Sequence, residues 1–328
     1  MAPIPKTMKG VTIEKTGGVE VLQYKTDLPM PTVKEGQVLV KNELSGINYI
    51  DTYFRTGLYP APSFPYILGR DASGVVQQVG TGETYSLKEG DKVVYMAQST
   101  YAEYTAAPAL HVKKLPSDIN AETAIAAMLQ GLTAITLIRE AHPVKSGDWV
   151  LVHAAAGGVG LLLVQMLKDI GAKVIATCSK GKIDLVKKYN PELIIDYGNE
   201  DFKAKVLEIT KGEGVAAVFD GVGKTTFDGS LDCVARKGSM VSFGNASGAV
   251  EPFKIARLSA KNAKLLRPTL FGYMATREEF EKYTTELFDF IKKGMEVKVH
   301  ETYPLKDVAK AHEELEGRKS SGKLLLKI

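Results

Sequence analysis

The chain has 328 residues, a length that suggests about two domains. Its 45% hydrophobic and 24% charged residues are ordinary globular values, which exclude a disordered or a fibrous protein. A net charge of +4 is too small to require a nucleic acid or a membrane as partner, and two cysteines exclude a disulfide framework. We therefore expect a cytoplasmic protein with no membrane partner, and the nucleus stays open as a second location.

Residues 1–115 combine short strand patterns with many turn residues. The candidate strands are rich in Val and Tyr, and glycine pairs such as Gly17-Gly18 and prolines such as Pro60 and Pro62 separate them. These strands are VTIEK, QVLVKN, SGVVQQVG, DKVVYM and AEYTAA. This part of the chain predicts an irregular antiparallel β domain.

The pattern changes near Pro116. Asp118 or Asn120 is a candidate cap for a long apolar helix that runs to about Ala141. Strands and helices then alternate, which predicts a parallel sheet covered by helices on both faces. The strands are WVLVHAA, KVIATC, LIID, VAAVFD, GSMVSFG and KLLRP, and the helices between them include VGLLLVQMLKDI, KIDLVKKY, DFKAKVLEIT and FDGSLDCVA.

The last part of the chain has no partner in that parallel sheet. It comprises a helix with apolar positions at helical spacing (REEFEKYTTELFDFIKKG), a strand, a second helix and the terminal strand KLLLKI. We expect this tail to return to the N-terminal domain. The predicted division is therefore 1–125 with 273–328 for the β-rich domain, and 126–272 for the doubly wound α/β domain.

The clearest site signal is the stretch from Ala154 to Gly160, AAAGGVG, directly between a strand and a helix. A dinucleotide pyrophosphate binds at such a turn because the backbone N–H groups of a helix N-terminus point at it. Gly157 would let the backbone approach the phosphates, and Gly160 would let the helix pack on the strand. Ala155 stands where the first glycine of this motif is usual. The alternative is a tight turn without a ligand.

The end of the second strand indicates which dinucleotide binds. NAD sites place an acidic residue there, whereas this chain has the stretch Cys178 to Lys182, CSKGK, with no acid before Asp184. A hydroxyl and two ammonium groups suit a 2′-phosphate, so the stretch favours NADPH over NADH. The alternative interpretation is a pair of solvated surface lysines.

Several segments together resemble the zeta-crystallin-like quinone oxidoreductases, a zinc-free branch of the medium-chain dehydrogenase/reductase superfamily. The similarity extends over essentially the whole chain. The segments are SGINYIDTYFRTGLYP, LGRDASGVVQQVG, EGDKVVY, LLQGLTA, AAAGGVG, SFGNASG, RPTLFGY and GRKSSGKLLLKI. The resemblance implies a GroES-like catalytic domain interrupted by a Rossmann domain, NADPH in the cleft between them, reduction of quinones, and a homodimer joined through the edges of its Rossmann sheets.

The same resemblance implies the site residues. The catalytic pocket residues would be Asn48, Asp51, Tyr53 and Tyr59, where a tyrosine would stack on the quinone or hydrogen-bond its oxygen; packing of a loop is the alternative for both rings. Lys182 and Tyr197 would face the 2′-phosphate and the adenine, and Arg318 would be a second phosphate-binding cation. The cofactor-binding set is Asn48, Gln130, Thr133, Gly157, Gly158, Val159, Ser179, Lys182, Tyr197, Phe243, Gly244, Asn245, Ser247 and Arg318.

No metal is expected. Zinc-dependent relatives carry a G-H-E-x-x-G stretch whose His binds the metal, and this chain has Arg70 at that place in GRDASG. Asn48 and Asp51 occupy the region of the upstream Cys ligand, and the five histidines show no ligand spacing. Without a Lewis acid, the chemistry must be one that positioning delivers, and quinone reduction by a nicotinamide meets that condition.

Two other functions remain open at this point. A reductase of α,β-unsaturated carbonyls would share the fold and the cofactor and differ only in substrate. The other is binding rather than catalysis, as an AU-rich mRNA 3′-UTR binding protein. This function stays open because the zeta-crystallin-like proteins that the chain resembles include RNA binders. The chain has no RRM-like aromatic signature and no Arg-rich segment, so RNA binding is at most a secondary activity.

Overall fold

The computed structural model describes residues 3–328 and divides into two compact units. Unit 1 comprises residues 1–129 and 276–328, and unit 2 comprises residues 130–275. The two stretches of unit 1 are therefore separated in sequence by the whole of unit 2. Each unit has its own sheets and its own buried apolar residues.

The first stretch of unit 1 is mainly β-structure. Its elements are β1 (Thr7–Ile13), β2 (Gln23–Pro29), β3 (Gln37–Ile47), α1 (Tyr49–Thr56), β4 (Tyr66–Ile67), β5 (Asp71–Val79), β6 (Lys92–Met96), β7 (Tyr104–Pro108), β8 (Val112–Lys114) and the start of α2 (Ala121–Thr136). The first strand differs from the predicted VTIEK, because pairing with β2 begins at Thr7 and ends at Thr12.

Helix α2 continues as a π-helical turn over Leu137–Ala141. Asn120, one of the two predicted caps, accepts a hydrogen bond from the Thr123 N–H at its Oδ1. By length and composition, the segment Ala121–Ala141 would suffice to cross a membrane, but 67% of its most apolar window is buried inside the protein. Such burial is what the core helix of a globular fold shows.

Unit 2 alternates strands and helices. Its elements after α2 are β9 (Trp149–Val152), α3 (Gly158–Ile170), β10 (Lys173–Cys178), α4 (Ile183–Lys187), β11 (Leu193–Asp196), α5 (Phe202–Ile209), β12 (Val215–Asp220), α6 (Phe227–Cys233), β13 (Val234–Ser242), β14 (Lys264–Leu266) and α7 (Leu270–Tyr273).

The six strands of unit 2 form one parallel sheet in the order β11-β10-β9-β12-β13-β14. This is the strand order of the Rossmann fold, in which the order of the strands, not their direction, reverses between β9 and β12. The central strands are buried throughout, for example Val150, Leu151 and Val152 of β9, because helices cover both faces of such a sheet. Ligands of these sheets bind at the carboxyl ends of the strands, near the reversal.

The last stretch returns to unit 1. Its elements are α8 (Arg277–Lys292), β15 (Val299–Pro304), α9 (Val308–Glu316) and β16 (Lys323–Lys327). Strand β16 pairs with β15 in parallel and with β3 in an antiparallel register that places Leu324 opposite Ile47. The larger sheet of unit 1 runs β15-β16-β3-β5-β6-β8, with β7 also on β3, and β2-β1-β4 form a smaller one. The final strand, β16, therefore lies between β15 and β3 in the larger sheet of unit 1.

Candidate active site

The glycine-rich turn links β9 to α3. Ala154 has a left-handed backbone (φ 51°), Gly157 is the N-cap of α3, and no side chain of the described residues caps this helix. The first turn of α3 also contains no acidic residue. The backbone N–H groups at this helix N-terminus therefore have the geometry and the electrostatic character that suit an anionic ligand.

Two glycines of the turn are closely packed, but only Gly160 faces backbone, whereas the neighbour of Gly158 is the movable end of the Gln130 side chain. A Cβ on Gly158 would lie 2.1 Å from Oε1 of Gln130, and a Cβ on Gly160 would lie 2.4 Å from the carbonyl oxygen of Ala154. Gly157 is less crowded, since its nearest neighbour would be 3.2 Å away. The Gln130 side chain therefore lies directly against the glycine-rich turn.

Buried polar side chains hold the turn in place. His153 directly precedes Ala154. Its Nδ1 is 3.1 Å from Thr177 Oγ1, and its Nε2 is 2.9 Å from Ser230 Oγ. Ser230 donates to Asp220 at the end of β12. Burial lowers the pKa of His153, which keeps it neutral at neutral pH. The ends of β9, β10 and β12 are thereby tied together, a role that the sequence did not reveal.

The end of β10 carries the predicted selectivity residues. Ser179 and Lys182 follow Cys178 in a short 3-10 turn, and the N–H of the half-exposed Tyr197 donates to the Cys178 carbonyl. An acid does lie nearby in space, because the parallel register places Asp196 of β11 beside Cys178. The Asp196 carboxylate is engaged by its own turn, where it accepts hydrogen bonds from Asn199 and from the Gly198 N–H.

The loop after β13 lies at the same edge of the sheet. Phe243 donates its N–H to the Asp220 carbonyl, and Ser247 accepts from the Thr225 N–H while its hydroxyl donates to the Val222 carbonyl. Arg267 donates from Nη1 to the carbonyls of Ser242 and Gly244. Arg267 was missed as a site residue, although RPTLFGY contains it. Of the predicted residues of unit 2, those that follow the carboxyl ends of β9, β10, β11 and β13 lie at one edge of the sheet: Gly157, Gly158, Val159, Ser179, Lys182, Tyr197, Phe243, Gly244, Asn245 and Ser247. Gln130 of α2 lies beside Gly158, and Thr133 is on the same helix.

In unit 1, Asn48 is the N-cap of α1 and lies at the centre of a buried polar group. Its Nδ2 donates to Asp71 Oδ1 at 2.6 Å, and its Oδ1 accepts from Lys323 Nζ at 2.6 Å. Lys323 also pairs with Asp71 Oδ2 at 3.1 Å. We call Asn48, Asp71 and Lys323 the buried triad. Asp71 and Lys323 were not among the predicted site residues. A lysine in a terminal strand is expected to be exposed to solvent, and without its lysine partner Asp71 gives no signal of its own.

Asp51 completes the capping box, because its Oδ2 accepts the Asn48 N–H at 2.8 Å. The same oxygen accepts from the hydroxyl of Tyr101, whereas Oδ1 has no partner among the described residues. Burial raises the pKa of Asp51 from 3.8 to about 6, although the Asn48 N–H and the charge of Arg70 act against this increase. Because Asp51 is fully buried, its role in the structure is to hold Asn48 and the start of α1 in place through the capping box.

Tyr53 and Tyr59 belong to a group of rings on and after α1. Their centroids are 5.1 Å apart in an edge-on arrangement, and Phe54 lies 5.7 Å from Tyr59. We call Tyr49, Tyr53, Phe54, Tyr59 and Tyr66 the α1 aromatic cluster. Tyr53 is buried and Tyr59 is partly exposed, so the two predicted rings differ in access to solvent.

Arg318 lies in the turn between α9 and β16, in unit 1, with a left-handed backbone (φ 56°). Burial raises the pKa of Tyr49, and the positive charge of Arg318 acts against this increase. Arg318 and Asn48 are thus on unit 1, whereas the other predicted cofactor residues are on unit 2. Within residues 3–328, no three His, Cys, Asp or Glu side chains lie together as a metal-binding group.

Two family models match the chain. The model described as "Alcohol dehydrogenase GroES-like domain" matches residues 34–117, and the one described as "Zinc-binding dehydrogenase" matches residues 158–289. The first match lies within unit 1, and the second extends from the start of α3 into α8. The two-domain fold class predicted from the sequence, GroES-like and Rossmann, is confirmed.

Full-length relatives are also found. A "Probable quinone oxidoreductase" from Schizosaccharomyces pombe is 45% identical over 96% of both chains. The crystal structure of the Escherichia coli quinone oxidoreductase complexed with NADPH superposes with a TM-score of 0.93 at 42% identity, covering 98% of this chain and all of that one. A "2-haloacrylate reductase" from Burkholderia sp. is 35% identical, over 96% of this chain and 97% of its own.

The buried position of Asp51 generates a prediction about stability. Its folded-state pKa, about 6, is above the value of 3.8 for an unperturbed carboxyl, so the folded protein holds this proton more tightly than the unfolded chain does. The stabilisation from this group is therefore fully present below about pH 4 and is lost as the pH rises through about 6. Because one pKa unit corresponds to about 1.4 kcal/mol, Asp51→Asn should gain about 3 kcal/mol relative to the parent protein between pH 4 and pH 8.

Chemical denaturation of both proteins across that pH range measures the difference. Asp27→Asn, at an exposed position of β2, is the matched control for the loss of a carboxylate. A constant difference for Asp51→Asn would contradict the buried-carboxyl account.

Proposed function

We propose that this chain, which belongs to the quinone oxidoreductase family of the medium-chain dehydrogenase/reductase superfamily, reduces quinones with electrons from NADPH and without a metal ion. The observation that carries the proposal is the uncapped N-terminus of α3 at the same sheet edge as Lys182 and Tyr197. The full-length likeness to quinone oxidoreductases, one of them solved with NADPH, supports it.

NADPH supplies a hydride from its nicotinamide when it is bound. We assign its pyrophosphate to the N–H groups of Gly158 and Val159 because the helix N-terminus there has no side-chain cap. Gly157, whose own N–H donates to the Ala154 carbonyl, would let the backbone approach the phosphates. Ser179 and Lys182 would hold the 2′-phosphate, with Arg318 as a second cation, and Tyr197 would cover the adenine. The other assigned contacts are Gln130 and Thr133 on the nicotinamide side, Asn48, and the loop residues Phe243, Gly244, Asn245 and Ser247.

On the substrate side we assign Tyr53 and Tyr59 to contact with the flat quinone ring. The partly exposed Tyr59 is the more accessible of the two, and aromatic faces suit a planar substrate. Asn48 would be positioned by the buried triad, and Asp51 would act on Asn48 through the capping box. Reduction then requires positioning of the ring and uptake of a proton, with no Lewis acid.

A reductase of α,β-unsaturated carbonyls is the second candidate function, and the 35% identity to a 2-haloacrylate reductase favours it. AU-rich RNA binding has no support from the comparisons. We further propose a homodimer that forms through β14, which ends the sheet of unit 2, and a cytoplasmic location, which the two buried free cysteines support. No finding supports a nuclear location.

The oxidation of NADPH in the presence of different acceptors tests the substrate class. We expect faster turnover with phenanthrenequinone than with an α,β-unsaturated ketone or a haloacrylate, since a quinone accepts a hydride more readily. Faster turnover of the unsaturated carbonyls would favour the second candidate function. Oxidation of NADPH in the absence of any acceptor gives the background rate.

Cofactor selectivity is tested at Lys182. We expect NADPH to bind at least about tenfold more tightly than NADH, a difference of about 1.4 kcal/mol. Lys182→Ala should weaken NADPH binding and leave NADH binding unchanged, because only NADPH carries the 2′-phosphate. Fluorescence titration of both cofactors measures this, with Lys211→Ala, at an exposed position after α5, as control. Equal losses for the two cofactors would reject the phosphate role.

The roles of Tyr53 and Tyr59 are separated by two substitutions at each position. If the rings stack on the quinone, Phe variants should keep kcat, Ala variants should raise KM, and NADPH affinity should not change. A Phe variant that lowers kcat by about 100-fold would instead identify that tyrosine as a general acid. Steady-state kinetics with four variants distinguish these outcomes, and four variants with parent kinetics would remove both residues from the mechanism.

A further inference from the structure

Arg70, which directly precedes β5, is a buried cation with few partners. Only 7% of the residue is exposed. Its Nη2 donates to the hydroxyl of Tyr66 at 3.1 Å, and its guanidinium carbon lies 4.1 Å from the centre of the Phe54 ring. Among the described residues, no carboxylate forms an ion pair with Arg70, and no other side-chain hydrogen bond is formed by its five N–H donors.

Arg55, a buried arginine of α1, has the ionic and hydrogen-bond partners that a buried cation usually has. Arg55 is 2% exposed and donates from Nη2 to both carboxylate oxygens of Glu316, at 2.7 and 2.9 Å. It also contacts His312 Nδ1 and donates from Nε to the Gly17 carbonyl. Arg55 is therefore compensated within the protein, as a buried charge requires. Arg70, on the same unit, is compensated far less.

The remaining donors of Arg70 are not fully enclosed. The enclosed side-chain atoms without a partner in residues 3–328 are Thr12 Oγ1, Asp51 Oδ1 and Ser73 Oγ. The nitrogens of Arg70 are not among them, so the small exposed part of this side chain includes nitrogen atoms. They lie against the α1 aromatic cluster, since Phe54 contacts both Arg70 and Tyr59. A planar ring placed on that cluster would have its polar edge near a cation that has donors to offer.

We propose that Arg70 binds the substrate oxygen on which negative charge develops during reduction. This inference rests on the proposed function, because it assumes that a conjugated carbonyl is reduced on unit 1. The planar guanidinium can donate two parallel hydrogen bonds to one anionic oxygen or to a carboxylate. Asp51 acts on Arg70 only through space, without a direct ion pair, so an anionic ligand would add a counter-charge in direct contact with the guanidinium and would bind more strongly than the neutral carbonyl.

The charge balance of the reaction agrees with this role. Addition of a hydride to a quinone transfers two electrons and one proton, breaks the C–H bond of the dihydronicotinamide and oxidises it, and leaves a hydroquinone monoanion. The anionic oxygen then takes one proton from water. Arg70 stays protonated throughout, and it stabilises the oxygen between the two steps. The same role applies to the enolate that hydride addition to an unsaturated carbonyl produces.

Kinetics of Arg70 variants test the proposal. Arg70→Met should lower kcat/KM for phenanthrenequinone by about 100-fold, the loss typical for removal of one donor to a developing oxyanion. Arg70→Lys should recover part of that loss because the charge remains. NADPH affinity should not change in either variant. If Arg70→Met fails to fold, Arg70→Gln serves the same purpose, and thermal unfolding of each variant shows whether it is folded.

Two further measurements exclude a purely structural role. Added guanidinium should restore part of the rate of Arg70→Ala, since the ion can enter the space that the substitution opens. Nitrophenolate, followed by its absorbance, should bind the parent protein in competition with the quinone and should not bind Arg70→Met. Arg236→Met, at an exposed position of β13, is the control and should retain the rate and the nitrophenolate binding of the parent.

The outcomes separate the two proposals. Parent kcat/KM together with parent nitrophenolate binding in Arg70→Met would overturn the role of Arg70 and leave quinone reduction intact. Nitrophenolate that binds the parent but not Arg70→Met, in a protein that turns over no quinone, would support the anion site and contradict the proposed function. A parent protein that binds no nitrophenolate, or a variant that guanidinium does not rescue, would overturn the role of Arg70.

Discussion

The buried triad is the interaction on which much of unit 1 depends. Lys323 Nζ contacts Asn48 Oδ1 and Asp71 Oδ2, and Asn48 Nδ2 contacts the other oxygen of Asp71. All three side chains are enclosed, so each depends on the other two for hydrogen bonds. Removal of one member of a buried pair typically costs about 3–5 kcal/mol because a charge is left without a partner. The triad thereby fixes β16, the start of β5 and the N-cap of α1 in a single arrangement.

Charge compensation explains how the polar groups around α1 are arranged. Lys323 is balanced by Asp71, and Arg55 by Glu316. His312 lies between Arg55 and Tyr101 and stays neutral, because burial and the neighbouring guanidinium lower its pKa to about 3. The groups with incomplete compensation are Asp51, with one oxygen unpartnered among the described residues, and Arg70. Incomplete compensation is costly for folding, and it is concentrated next to the aromatic side chains that we assign to the substrate.

The fold class and the glycine-rich turn follow from local patterns, whereas the polar core of unit 1 does not. Strand–helix alternation and AAAGGVG, both properties of neighbouring residues, suffice to predict the Rossmann sheet and its glycine-rich turn. Lys323 and Asp71 are separated by 252 positions, and no local pattern shows that they are paired. The same holds for Asp196, which reaches Cys178 only through the parallel register of β10 and β11. Sequence patterns identify residue types at a site, and long-range pairing determines which of them are buried, charged or accessible.

The position of β16 in the sheet has a consequence for the order of synthesis. Residues 130–275 contain a complete sheet and can fold while the ribosome still adds the tail, because domains fold as units in chain order. Unit 1 cannot complete its sheet at that time, since β16 closes against β3 only after residue 327 has been made. Until then Asn48 and Asp71 lack the hydrogen bonds from Lys323 that complete the buried triad. A nascent chain of this protein can therefore complete the sheet of unit 2 before that of unit 1.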